Sequence, residues 1–340
     1  MSIAIQSFKA LTSDIVVIAI AYFLCTEVSF WNGIFSSSVI DFLPVFAGCL
    51  IVCSLTSLCY DLYFLKTRYN SSSYKAYKFI QFLFVGIYRN NYEKIEKKYT
   101  YSFFLILIKI TFIPLMIQFT VNNFFGIKAL AFSYFSTDVL ADITWSELFN
   151  NSVYPLLLTL CFFIDTVFYL FGYLIYNEAL GNTVRSVETT FFGWIAALLC
   201  YPPLFVITAE FLPISGNDSP FWLNNELTAV VRIVMFFLLL IYTLATVNLG
   251  WKCSNLTNRG IVSHGVYSVV RHPAYIAKNL FWWVSLLPVF FISPIAIVYM
   301  LGLSSIYFFR ALTEERHLYK DQDYVKYCQK VKYRFTPKIF

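Results

Sequence analysis

Between Asn255 and Tyr275 the chain reads NLTNRGIVSHGVYSVVRHPAY, and further on it carries two adjacent carboxylates, Glu314 and Glu315. Gly, Arg, His, Pro and Tyr crowd together in this stretch beside long apolar runs, so these are the residues best suited to chemistry. One cluster offers Arg271, His272, Tyr275 and the flexible Gly260 and Gly265; the other offers Arg310, Glu314, Glu315 and His317. Acidic and basic groups stand together, and the glycines allow a backbone to come close to a ligand. A ring of charges at the lipid headgroups is the simpler explanation. Such a ring needs Lys and Arg, however, and has no use for adjacent glutamates, a paired His and spaced glycines. No cluster with metal-ligand spacing is expected.

The elements that must position these residues are set by composition. The chain has 340 residues, of which 59% are hydrophobic and 13% charged, against roughly 25% charged in soluble domains. Several apolar runs reach the ~20 residues of a helical span, and none alternates in the manner of an outer-membrane barrel. The expected fold is an all-α polytopic membrane protein with about eight transmembrane helices, at 11–30, 42–65, 102–121, 153–176, 190–212, 227–249, 276–291 and 294–312. The last two form a helical hairpin turning at Ser293-Pro294, followed by a cytoplasmic catalytic tail.

Basic residues orient these spans, because cytoplasmic loops collect Lys and Arg. Segments 1–10, 66–101, 177–189, 250–275 and 313–340 hold 20 of the 25, whereas 31–41, 122–152 and 213–226 hold only Lys128. Both termini are expected in the cytoplasm, with the first span retained as an anchor. The net charge of +6 follows this topology, and no nucleic-acid motif accompanies it. Six of the eight cysteines lie in apolar spans and Cys253 and Cys328 on the cytoplasmic side, so no disulfide framework is implied.

Two regions, 1–189 and 190–340, are expected. The first is a transmembrane region with a basic cytoplasmic loop, 66–101, in which the aromatic stretch from Tyr74 to Tyr88 reads as a helix lying among headgroups. Segment 122–152 is expected to cap the exported face. Charges inside spans are costly: Asp165 calls for an interhelical hydrogen bond, Arg232 is near enough to its span end to snorkel, and Lys109 is a further candidate. The second region holds the hairpin. Tyr275 and Glu314 are 39 residues apart, and two runs of about 16–19 residues at 1.5 Å each fold back over equal lengths. The two polar clusters therefore meet at the mouth of the hairpin.

GVYSVVRHPAY, then TEERHLY, then YVKYCQKVKYRFTP resembles the integral-membrane methyltransferases that include isoprenylcysteine carboxyl methyltransferase and the phospholipid N-methyltransferases. The resemblance covers about 250–340. It implies S-adenosylmethionine as cofactor, with Gly265, Tyr267, Arg271, His272 and Tyr275 forming one wall of its site and Glu314 and Glu315 another, one carboxylate meeting the cofactor's ammonium. His272 and Arg310 are the candidates for catalytic contact. Two departures bear on the acceptor: Arg259 stands where many carboxyl methyltransferases have His, and Ala277-Lys278-Asn279 where many members have Gly.

The function implied is methyl transfer to a lipophilic acceptor at the membrane, with membrane lipids as partners and no nucleic acid. Aligning methyl and nucleophile and excluding water supplies much of the rate. An amine or hydroxyl acceptor needs a base and a carboxylate hardly does; Arg310 is then either a carboxylate anchor or the i+4 partner of Glu314. Pro202-Pro203 and the many aromatics of 190–249 suggest a bent helix that leaves room for an apolar chain beside the hairpin. The competing reading is an NADPH-dependent oxidoreductase, because the ending YCQKVKYRFTP is similar to that of sterol reductases. The membrane expected is a bacterial inner membrane or one of the endoplasmic reticulum type; acceptor identity and oligomeric state are left open.

Overall fold

The computed structural model describes residues 3–28, 35–63, 71–89, 96–135, 143–175, 180–202, 204–213 and 216–337. They are helical almost throughout, with strand limited to the two-residue pieces Ser186–Val187 and Thr257–Asn258. The chain divides into two compact units, 1–118 with 186–189, and 119–185 with 190–340.

The first unit holds α1 (Ile3–Glu27), α2 (Ser37–Tyr63), α3 (Ser72–Arg89) and the start of α4 (Lys97–Phe135). Ser71 donates to Asp14 at 2.6 Å and caps α3 by accepting from the Tyr74 amide, so the short basic helix is tied to the polar face of α1. The expected helix between Tyr74 and Tyr88 is present. α4 continues well past the expected end at 121, so half of the segment assigned to an exported cap is helix; Asp138 and Asp142 lie outside the described residues.

The second unit is built on α5 (Trp145–Leu174), α6 (Phe191–Leu198), α7 (Leu204–Phe211), α8 (Asn225–Leu249), α9 (Pro273–Ile292), α10 (Ile295–Leu318) and α11 (Gln322–Lys330). Seven helices among the described residues, α1, α2, α4, α5, α8, α9 and α10, are long and apolar enough to cross a membrane. The segment 190–212 does not give an eighth. α6 and α7 have eight residues each, about 12 Å at 1.5 Å per residue, against a hydrocarbon core of about 30 Å. Pro202 lies at the break, where it cannot donate and keeps the preceding residue out of helical geometry; Pro203 is outside the described residues. The Thr208 hydroxyl serves the carbonyls of both Leu199 (3.2 Å) and Leu204 (3.1 Å), so the break leaves the Leu199 carbonyl satisfied.

α5 starts eight residues before its expected position because Thr144 and Glu147 form a reciprocal capping box. Its next turn, Phe149–Val153, is π-helical. The Tyr154 amide bonds to the Phe149 carbonyl, and residue 155 is a proline with no amide to give, so the Asn150 carbonyl has no partner within the helix. Arg232 of α8 fills the place, with Nη1 2.7 Å from that oxygen, and its Nε donates to the Pro220 carbonyl at 3.2 Å. The guanidinium also lies 4.9 Å from the Tyr154 ring centre. Arg232 is only 8% exposed, so it does not snorkel; it holds carbonyls that would otherwise be bare inside the bundle.

The chain between α7 and α8 is anchored in the same way. The Asp218 carbonyl accepts from Tyr154 Oη (2.7 Å), its carboxylate from Trp282 Nε1 of α9 (2.9 Å), and Thr228 Oγ1 bridges the amide and carbonyl of Trp222. Asp165, in the middle of α5, accepts from Tyr242 (2.8 Å) and Thr246 of α8, the interhelical bond expected of it. The α9–α10 hairpin turns at Ser293-Pro294 and closes over Leu286, Met300, Leu303 and Tyr307, with Trp283 Nε1 donating to Ser304 at 3.0 Å.

Replacing Arg232 by Met removes these donors while keeping the chain's volume. The expected cost is about 2–5 kcal/mol of stability, since each buried carbonyl left bare costs about 1–3 kcal/mol. Thermal unfolding in detergent should show a lowered midpoint for Arg232→Met and a smaller drop for Arg232→Lys; an unchanged midpoint for Met contradicts the assignment.

Candidate functional site at the mouth of the hairpin

The loop that follows α8 is shaped before it reaches the polar cluster. Gly250 ends the helix at φ +55, and Cys253 passes so near α5 that a Cβ on Gly172 would lie 1.9 Å from its carbonyl oxygen. Asn258 Oδ1 accepts from the Gly260 amide and its Nδ2 donates to Asp321, both at 2.8 Å. Arg259 donates to Ser254 (2.9 Å) and to Asn182. At Gly265 the backbone is left-handed, φ +59, and a Cβ there would sit 1.9 Å from Asn248 Oδ1, the oxygen that accepts from the Val266 amide at 2.9 Å. Only glycine fits this position. Tyr267 lies in the 3-10 turn that follows, and its carbonyl accepts from Tyr327 of α11 at 2.7 Å.

Pro273 then opens α9, where its missing amide is no loss. Just before it, the Arg271 amide donates to the Tyr333 carbonyl (2.9 Å) and the His272 amide to the Arg334 carbonyl (3.0 Å). The segment after α11 is thereby stitched along the Arg-His-Pro stretch. It brings Arg334 into the cluster.

Glu315 is the centre. Its carboxylate is 2% exposed and has three basic neighbours: His272 Nε2 at 3.1 Å and Arg271 Nε at 3.3 Å on one oxygen, and Arg334 Nε at 2.8 Å on the other. Burial opposes the charge of Arg271, but its contacts with the Cys328 thiol, Glu315 and the Tyr319 hydroxyl keep the guanidinium firmly protonated. Glu314 is different. Its side chain is 44% exposed, and the Tyr275 hydroxyl donates to its Oε2 at 2.7 Å. The His272 ring is stacked on Tyr275, centres 5.4 Å apart and planes 5° from parallel. Since a carboxylate only accepts, Nε2 carries the proton toward Glu315, leaving Nδ1 4.0 Å from Glu314.

Arg310 sits one turn before Glu314 but does not pair with it. Nη2 donates to Asn255 Oδ1 at 2.6 Å, and the guanidinium lies between the rings of Tyr201 (5.4 Å) and Tyr275 (5.2 Å). Asn255 is itself held by the hydroxyls of Tyr173 (2.8 Å) and Tyr201 (3.2 Å). At the far side, Asp321 caps α11 and accepts from Arg185 (2.9 Å). Burial pushes its carboxyl up, but the donors Asn258, the Asp323 amide and Arg185 outweigh it and hold it below the usual aspartate value.

Arg271, His272, Tyr275, Glu314 and Glu315 thus form one contact network, with Arg310 against Tyr275. Gly265 and Tyr267 belong to the adjoining turn, joined to the network through α11. Arg334, Asn248, Asn255 and Tyr201 were not among the expected site residues. Arg334 stands in the YRFTP ending, where its charge next to a proline-stopped stretch of chain was the available signal; Asn255 opens the stretch already singled out, and Asn248 and Tyr201 carry no local mark.

The class defined so far is a helical membrane protein whose polar site lies where a transmembrane hairpin opens. Residues 227–320, from the first turn of α8 to the end of α10, match the model of the isoprenylcysteine carboxyl methyltransferase (ICMT) family. The match takes in the loop, the hairpin and both glutamates. No curated protein and no solved structure matches the chain.

Removing the Glu315 charge leaves Arg271 and Arg334 facing one another without it. Glu315→Gln is expected to cost about 3–5 kcal/mol, as for breaking other buried ion pairs from one side, whereas Glu314→Gln should leave the unfolding midpoint in detergent within a degree or two. Equal midpoints for the two variants would refute the unequal roles.

Proposed function

We infer that this protein transfers a methyl group from S-adenosylmethionine to a lipophilic acceptor at the membrane. The observation that carries the reading is the meeting of His272, Tyr275 and Glu314 at the hairpin mouth, within the segment that matches the methyltransferase family.

The residues present suit this cofactor. S-adenosylmethionine offers an electrophilic methyl on a sulfonium, together with an ammonium and a carboxylate. Glu314 is the carboxylate suited to the ammonium, because Glu315 is already enclosed by three basic groups. The exposed backbone at Gly265 allows close approach of a ligand. His272, fixed by Tyr275 on one side and Glu315 on another, takes the proton of an amine or hydroxyl acceptor at Nδ1; a carboxylate acceptor gives up none. The acceptor reaches the site sideways, from the bilayer, beside the hairpin.

Binding of labelled S-adenosylmethionine to the full chain in detergent tests the reading, with NADPH as the contrasting ligand. Wild type should bind the former, and Glu314→Gln should bind it roughly several-fold more weakly, the scale of a charge contact that is partly open to solvent. Incubation with membranes and extraction of lipid should recover label in the organic phase. Binding of NADPH alone would replace methyl transfer by reduction.

The distribution of basic residues supports a topology with the termini and α3 in the cytoplasm. A cysteine at Ser72 should resist a membrane-impermeant thiol reagent applied to intact cells, and one at Leu223, which is 90% exposed, should react. The reverse pattern would invert the topology.

A further inference from the structure

Four phenylalanine rings lead from the outer side of α10 to His272. Phe192, at the start of α6, packs edge-on against Phe309 with centres 6.1 Å apart, and Phe309 stands beside Phe308 at 6.0 Å. Phe308 lies 5.9 Å from Phe335, and Phe335 lies 5.6 Å from the imidazole of His272. The outer rings are open, Phe192 at 52% and Phe309 at 47% exposed, whereas Phe335 is half-buried and His272 is buried. Arg316 donates to Thr190, the cap of α6, and so ties the start of that helix to α10.

Two simpler readings fit this row poorly. Rings that serve stability are turned inward, as Met300, Leu303 and Tyr307 of α10 are, and the outer rings of the row are not. Rings that anchor a protein among headgroups are Trp and Tyr, with a polar tip for the wet side; these four have none. Phe308 and Phe309 precede Glu314 by six and five residues, about 9 and 7.5 Å along the axis, on the side of the polar cluster away from the end of the helix. At the inner end, Phe335 is held in register. The two residues before it accept the backbone amides of Arg271 and His272, and Arg334 is fastened to Glu315.

We propose that this row is a binding track for one lipid chain, entered from the bilayer on the outer side of α10, and that Phe335 is its specificity-determining residue. The inference rests on the proposed function only in taking that chain for the acceptor's. The row is continuous with the imidazole, so a chain laid along it brings its polar end to His272 and Glu314. Phe335 is the last ring the chain meets, and its breadth sets which chains lie close enough to the imidazole. A methyl-branched chain needs more width than a straight one, and the ring stands where that width is required.

The test places the full wild-type chain, without cofactor, in phosphatidylcholine nanodiscs containing a rising fraction of phosphatidylcholine with a diazirine midway along one acyl chain. After illumination, adducts are located by peptide mass spectrometry. Labelling of Phe335 should level off as the fraction rises, the mark of a site. Labelling of Val52, an exposed residue of α2, should rise in proportion throughout, the mark of bulk lipid. Phe309→Gln, which sets an unpaired amide across the row, should lower the Phe335 adducts roughly 2-fold or more and leave those on Val52 unchanged. In Phe335→Ala, phytanoyl phosphatidylcholine should compete for labelling of Phe308 severalfold better than it does in wild type. Proportional labelling of Phe335, no labelling of it, or equal competition in a folded Phe335→Ala overturns the proposal. The wild-type measurement decides even if a variant does not fold. Because no cofactor is present, failure to bind S-adenosylmethionine would count against the proposed function alone.

Discussion

The site depends on one buried carboxylate. Glu315 has almost no access to water and could not stay charged by itself; three basic groups from two separate stretches surround it, Arg271 and His272 before α9 and Arg334 after α11. Each of those groups would in turn be poorly solvated without Glu315. The arrangement joins the loop, the hairpin and the final segment through charge, and the two backbone bonds from Arg271 and His272 to residues 333 and 334 keep these stretches in register. The adjacent glutamate is set free by this division of labour. Glu315 does the fastening, so Glu314 can face outward with a single tyrosine behind it.

Much of this was visible in the residues. Long apolar runs locate helices because bare backbone is intolerable in hydrocarbon, and two runs of equal length joined at Ser293-Pro294 leave their outer ends side by side whatever else the chain does. Hence the contact of Tyr275 with Glu314 followed from counting. Hydropathy reads 190–212 as one continuous run where the chain forms two helices of eight residues, for a physical reason: it sums side-chain transfer energies and takes no account of proline, whose effect is on the backbone. The roles of Arg232 and Arg334 were hidden for another. Arg232 bonds to carbonyls, which every residue has, and the pairing of 271–272 with 333–334 joins segments some sixty residues apart with no periodic pattern on either side.

Three arginines illustrate how differently one side chain is used in apolar surroundings. Arg232 repairs a helix defect made by a π turn and a proline. Arg310 is sandwiched by two tyrosines and steered by Asn255. Arg271 is part of a charge cluster at the mouth of the hairpin. A planar group with five donors serves all three purposes, where a lysine would serve one.

The segment from 216 to 222 has neither helix nor strand, yet Tyr154 of α5, Arg232 and Thr228 of α8 and Trp282 of α9 all bond to it. Irregular backbone ordinarily exchanges its amide protons quickly because it opens by itself. Here, opening would strip partners from three membrane helices at once. This short piece of loop is therefore a keystone: though most of its residues are exposed, it cannot open without releasing all three helices.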